Sequence, residues 1–212
     1  LRENVFYHNG WSERVPGTWR SMFGHNVYLN GTHNLTVEGN LVGFGSFNGL
    51  NLRTGNKDGD NQRNVTVRGN LVVGNAQGIT SRANDNRYTI SRDLLIKNNV
   101  IARHGGRIPV GSNEILVASG ITISNWNGAM VRDNLVMRSP QGSGGGALKV
   151  QTYNRPQSRN VTFKRNVVYK WGENRLELNK PGVSVVNNYI GLPVDRFRAT
   201  EHTLNRYIRG QT

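Results

Sequence analysis

Short runs of alternating apolar and polar residues recur down this chain at nearly even intervals. One set reads LTVEG, VTVRG, LLIKN, AMVRD, VTFKR and VSVVN, and each member is followed by a second run: LVGF, LVVG, VIAR, LVMR, VVYK or YIGL. A third set, set off by loops of variable length, reads HNVYL, GLNLR, GITSR, GITIS, ALKVQ and RLELN. Alternation with period two marks a strand that buries one face. Each repeat is therefore expected to supply three short strands. A unit this small cannot bury its apolar face alone, so it must stack on its neighbours. The predicted fold is all-β: a right-handed parallel β-helix of about six or seven coils.

Two polar markers bracket the first strand of each repeat, always six residues apart: Asn34/Asn40, Asn64/Asn70, Asp93/Asn99, Gly128/Asn134, Asn160/Asn166 and Gly182/Asn188. The second marker is always Asn, and stacked coils would bring those side chains into one corner column. Amides in such a column can bond to one another and satisfy corner backbone groups. The same repeat accounts for three of the four Asn-X-Thr sequences, at Asn34, Asn64 and Asn160 (the fourth is at Asn30), as corner residues rather than glycan acceptors.

The repeat runs through residues 1–193. Residues 194–212 break it and place Phe197, Leu204, Tyr207 and Ile208 at roughly helical spacing, as expected of a C-terminal cap over the last coil. The chain opens at Leu1, already inside a strand-like pattern, and is expected to be a piece of something longer.

Composition narrows the function classes. Apolar residues make up only 35% and there are 26 Gly, which suits short strands and many turns. With no Cys, disulfides and thiolate metal sites are excluded. No apolar run reaches the roughly 20 residues a membrane-spanning helix needs. The net charge is +14, from 27 Lys and Arg against 13 Asp and Glu, and such a field favours a polyanionic partner. The cations are spread along the chain rather than gathered in a tail, and no helix-turn-helix, RNP or zinc pattern accompanies them, so specific nucleic-acid binding is not expected.

A filled solenoid core leaves chemistry to outward columns and loops. With Leu50, Ile79, Ile121 and Leu148 inward, the third strands turn Asn51 and Arg53, Thr80 and Arg82, Thr122 and Ser124, and Lys149 and Gln151 outward, with His25 and Tyr28 one coil earlier. This face carries cations and hydroxyls and no carboxylate until Glu177. Arg53, Arg82 and Lys149 suit the carboxylates of a uronate polymer, with Asn51 beside them. Trp11, Trp19 and Trp126 could stack on sugar rings or cap the core. His8, His25, Tyr28 and Lys149 are the candidate proton movers. Loops at 9–24, 103–119 and 138–146, and at 54–63, 83–92 and 152–159, would wall a groove. No cofactor is required by these groups, although Asn56, Asp58 and Asp60 in NKDGDN could hold Ca²⁺.

Gly10-Trp11, Pro16-Gly17, His25-Asn26 with Tyr28, and Arg53 before a glycine turn resemble the opening of secreted bacterial right-handed parallel β-helix proteins of the pectate-lyase-like superfamily, related to alginate-active lyases and epimerases. The resemblance covers about the first quarter of the chain. It implies an extracellular or cell-surface protein acting on an acidic polysaccharide. The clustered Asp residues of polygalacturonases and the Asp-Pro-His-Asp signature of mannuronan epimerases are absent. A glycosidase needs a carboxyl pair, which the third-strand face does not supply. The expectation is β-elimination on a uronate glycan, with His25, Tyr28 and Arg53 at the centre. The alternative is a non-catalytic carbohydrate-binding or adhesive module.

Overall fold

The computed structural model describes residues 1–9, 23–53, 61–82, 90–102, 105–110, 113–117, 119–137, 145–151, 157–171 and 176–191. Side chains of 82, 106–110 and 113–117 are outside that description. The described residues form a parallel β-helix, with three parallel sheets and no helix. Sheet I holds the first strands of the repeat: His33–Glu38, Arg63–Arg68, Ser91–Lys97, Trp126–Arg132, Arg159–Lys164 and Val183–Val186. Sheet II holds Val5–Tyr7, Leu41–Gly43, Leu71–Val73, Val100–Ala102, Leu135–Met137, Val167–Tyr169 and Tyr189–Ile190. Sheet III holds Val27–Asn30, Asn48–Arg53, Gln77–Arg82, Ser119–Ile123, Leu148–Val150 and Leu176–Glu177. The expected C-terminal cap lies outside the described residues.

The two sequence markers have different physical roles. All six residues at the first marker take positive φ, from 53° at Asn34 to 79° at Gly128. Asn, Asp and Gly are the types that tolerate the left-handed region, which is why the marker varies among those three. One left-handed residue inside the strand also reverses the in–out alternation on its N-terminal side. Downstream, Leu35 and Val37 and their counterparts point into the core, while upstream Gln62, Ser91 and Trp126 are the buried residues.

The second marker forms the predicted column. Asn40 donates its backbone N–H and side-chain Nδ2 to Asn70 Oδ1 at 3.0 and 2.8 Å. The same pair of bonds recurs from Asn70 to Asn99, Asn99 to Asn134, Asn134 to Asn166, and Asn166 to Asn188. Asn4 joins at the other end through Asn40. Each interior amide also donates to a strand carbonyl, as Asn70 does to Val37 O at 3.0 Å. Buried polar groups are thus satisfied at a corner where the sheets themselves supply no partner.

The residue before each of these Asn is also left-handed, and in one coil it binds two coils together. Asp133, at φ 56°, accepts from Arg165 through both carboxylate oxygens, at 2.7 and 2.9 Å, and from Arg132 at 2.7 Å. The Arg165 hydrogen bonds, reinforced by Arg132, hold its carboxyl below the ordinary value. A depressed folded-state pKa contributes stability above the unfolded value, and that contribution is lost as pH falls through the folded one. Asp133→Asn keeps the left-handed backbone and should cost roughly 1 kcal/mol near neutrality. The gap between the two urea midpoints should close as pH drops below about 4. A gap that persists or widens in acid would refute the assignment.

One element departs from the sequence reading. Within 103–119, expected as loop, Gly106–Val110 and Asn113–Val117 pair as an antiparallel hairpin. The signal was present in the two apolar runs of RIPVGSNEILV flanking Gly111-Ser112.

Candidate functional site on the outer face of sheet III

Sheet III carries the candidate site because its outward residues are polar and in register. Tyr28, Asn51, Thr80, Thr122, Lys149 and Glu177 form one row across the six strands, and Asn30, Arg53 and Arg82 start a second. Strand alternation fixes this: Leu50, Leu52, Ile79 and Ile121 are packed in the core. The middle of the row is not the solvated strand face that alternation alone suggests. Asn51, Thr80 and Thr122 are buried, so the floor of this face is recessed.

His25 is held at the edge of that floor by its neighbours on both sides. Asn26 is buried, donating to Gly43 O at 2.8 Å and Asn75 Oδ1 at 2.7 Å, and it accepts the backbone N–H of Asn9. This anchor fixes the backbone from which the His25 ring projects. Asn51 Nδ2 lies 3.3 Å from His25 Nε2, and Thr80 Oγ1 lies 3.3 Å from Asn51 Oδ1. With the amide nitrogen as donor, Nε2 is the acceptor of this bond. The Tyr28 ring centroid is 5.2 Å from that of His25, and Phe47 packs on the same imidazole at 5.6 Å.

The residues expected from sequence divide as follows. His25, Tyr28 and Asn51 come together, with Tyr28 46% exposed. Arg53 is half-buried, two residues beyond Asn51 on the same outward side. Arg82 takes the next rung after Arg53, and its side chain is outside the described residues. Lys149 is not an unpaired cation: its Nζ sits 2.7 Å from Glu177 Oε2. Trp126 is a correction. It is fully buried in the core, with Nε1 donating to Ser81 Oγ, and so cannot stack on a sugar. Trp11, and Asn56, Asp58 and Asp60 with the expected Ca²⁺ loop, lie outside the described residues. His8 packs against Tyr7 and Phe44 at the corner after sheet II.

Comparison with protein-family models, curated proteins and solved structures found no match. What this face can do must follow from its own groups. Two of them were not singled out from sequence. Thr80 extends the His25–Asn51 hydrogen-bond chain to a third coil, a link visible only once the register is known. Phe23 is 80% exposed, and its backbone carbonyl accepts the His25 N–H at 3.0 Å, which puts an exposed apolar residue two positions before the imidazole. An apolar surface next to polar groups is the combination sugar rings favour. Aromatic content alone did not distinguish Phe23 from the tryptophans.

Proposed function

We propose that the protein acts on a uronate-containing acidic polysaccharide, cleaving it by β-elimination at the sheet III face. The observation that carries this reading is the grouping of an exposed phenol, a histidine and an arginine around the buried Asn51. In the reaction, Arg53 pairs with the substrate carboxylate and stabilises the charge that develops there when the C5 proton leaves. Tyr28, the more exposed of the two proton movers, takes that proton as the phenolate, with His25 beside it. The C5–H electron pair forms the C4–C5 double bond, the C4–O bond breaks, and the Tyr28 phenol so formed gives its proton to the departing oxygen and returns to the phenolate. Phe23 and Tyr28 offer apolar surface to the ring. The resemblance of the first quarter of the chain to secreted bacterial β-helix proteins related to alginate-active lyases and epimerases supports the same substrate class and an extracellular setting.

The test is the ultraviolet absorbance of unsaturated uronate, followed over alginate, pectate and glycosaminoglycan panels. On whichever polymer is cleaved, Arg53→Ala should lower kcat/KM by about 10²–10³-fold while the urea midpoint stays near the parent's. Full activity in both Arg53→Ala and His25→Ala would exclude this site. A second reading is a carbohydrate-binding module without turnover. It is favoured by the Thr80–Asn51–His25 chain, in which Asn51 is already engaged by both of its neighbours. Salt-sensitive binding with no absorbance change on any polymer would establish it.

A further inference from the structure

The outer face of sheet I, which has no part in the site above, carries a second cationic surface. Parallel register places Arg63, Arg92 and Arg159 in one outward row, interrupted by Asn127. Arg68, Lys97, Arg132 and Lys164 form another row at the far ends of the same strands. Successive rungs are ~4.8 Å apart, and the rows are separated by roughly 15 Å of strand. In the second row the chain supplies its own counter-charges: Glu38 pairs with Arg68 at 2.8 Å, and Asp133 with Arg132 at 2.7 Å. The first row differs. Arg63, Arg92 and Arg159 are exposed, and none makes an ion pair with a described residue. Asp93 follows Arg92 in the chain, and it too is in no ion pair with a described residue.

Arg63 and Arg92 stand one rung apart, and like charges so placed repel even in water. An anion repeating along the axis removes that cost. Exposed amides run beside the arginines: Asn64 donates to Asn34 at 2.9 Å and Asn160 to Asn127 at 2.8 Å, leaving further donor and acceptor capacity toward solvent. Between the rows lie Thr36, Thr66 and Thr162 with Leu95 and Met130, and no aromatic ring. Base stacking therefore has no platform here. We infer that the Arg63–Arg92–Arg159 row is a second, non-catalytic binding surface for a linear uronate glycan lying along the solenoid axis. Its carboxylates face the guanidinium groups, and its hydroxyls face the amides. This surface stands independently of the sheet III reading.

End-labelled oligouronates from alginate and pectate are titrated by fluorescence anisotropy at low and moderate salt. The protein carries Arg53→Ala, so that events at sheet III do not enter the result. Arg63→Ser with Arg92→Ser should weaken binding about tenfold, whereas Lys170→Ser with Lys180→Ser, an equal loss of charge elsewhere, should change it less than about twofold. Arg63→Lys with Arg92→Lys keeps the charge and should stay within about threefold of the parent. Equal losses in the Ser pair and the distant Lys pair would reduce the effect to net charge and overturn the proposal. So would unchanged binding in the Ser pair, or a Lys-for-Arg pair as weak as the Ser pair. Tighter binding of labelled DNA or of phosphatidylserine vesicles than of any oligouronate would overturn the choice of partner.

Discussion

Asn99→Ala is expected to remove a large share of the stability of the solenoid. The residue is buried at mid-column, where its Oδ1 accepts from Asn70 N and Nδ2, both at 2.9 Å. Its Nδ2 donates to Val67 O, Lys97 O and Asn134 Oδ1. Alanine leaves the Asn70 backbone N–H without its acceptor and the Val67 carbonyl without its side-chain donor, while the Asn134 oxygen keeps only the backbone N–H of residue 99. At about 1–3 kcal/mol for each orphaned buried group, the loss should reach ~4 kcal/mol, against a total of about 5–15 for a domain. Aspartate is no remedy, because it sets an oxygen against the Asn134 oxygen. At the end of the column, Asn188 makes fewer such bonds and is only partly buried, so Asn188→Ala should cost nearer 1 kcal/mol. Urea midpoints for the two variants check this directly. Equal costs at 99 and 188 would mean that the column is ornamental to stability.

Gly120→Ala should be comparably damaging for a different reason. A Cβ at this position would lie 2.3 Å from Val136 Cγ1 and 2.4 Å from the Ala147 carbonyl oxygen. One rung away, a Cβ on Gly78 would meet the Gly120 oxygen at 2.4 Å. The Ala147 and Gly120 oxygens are backbone atoms of the neighbouring coil, so turning the Val136 side chain is not enough and relief requires two strands of sheet III to part. About 3 kcal/mol is expected, with loss of soluble protein on expression. Gly128 makes the internal control: its φ is 79°, but the nearest atom to an added Cβ is 3.5 Å away. Gly128→Ala should therefore cost only about 1 kcal/mol, the backbone penalty of the left-handed region. A larger loss at 128 than at 120 would show that backbone conformation, not coil spacing, limits this fold.

The three strands of each coil were legible in sequence because both signals that define them are local. Alternation marks the strand, and an Asn six residues after the left-handed marker marks the corner. Trp126 shows where local signals stop. Counting back by twos from Ala129 and Val131 would turn it outward, but the left-handed Gly128 reverses the phase and carries the ring into the core. The same reversal sends Arg63 and Arg92 outward and Gln62 and Ser91 inward. At the candidate site, His25, Tyr28, Asn51 and Arg53 could be grouped by counting coils. The Lys149–Glu177 pair and the Thr80 link could not, since both depend on side-chain reach between coils. Burial of the row's centre was equally hidden, because alternation reports only which side of a sheet a residue takes.

The corner amides also give the molecule a sense of direction. From Asn4 to Asn188 every link runs the same way, with each side-chain N–H pointing toward the later coil and each oxygen toward the earlier one. Such a series behaves as an arrow: its dipoles add rather than cancel, and each bond polarises the next. A coil grafted between any two of these would have to bring both an oxygen for the amide before it and an N–H for the oxygen after it. Serine and threonine there lack the reach, and aspartate lacks the donor. A transplanted coil that fits the three sheets perfectly would still break the arrow unless asparagine stood at its corner.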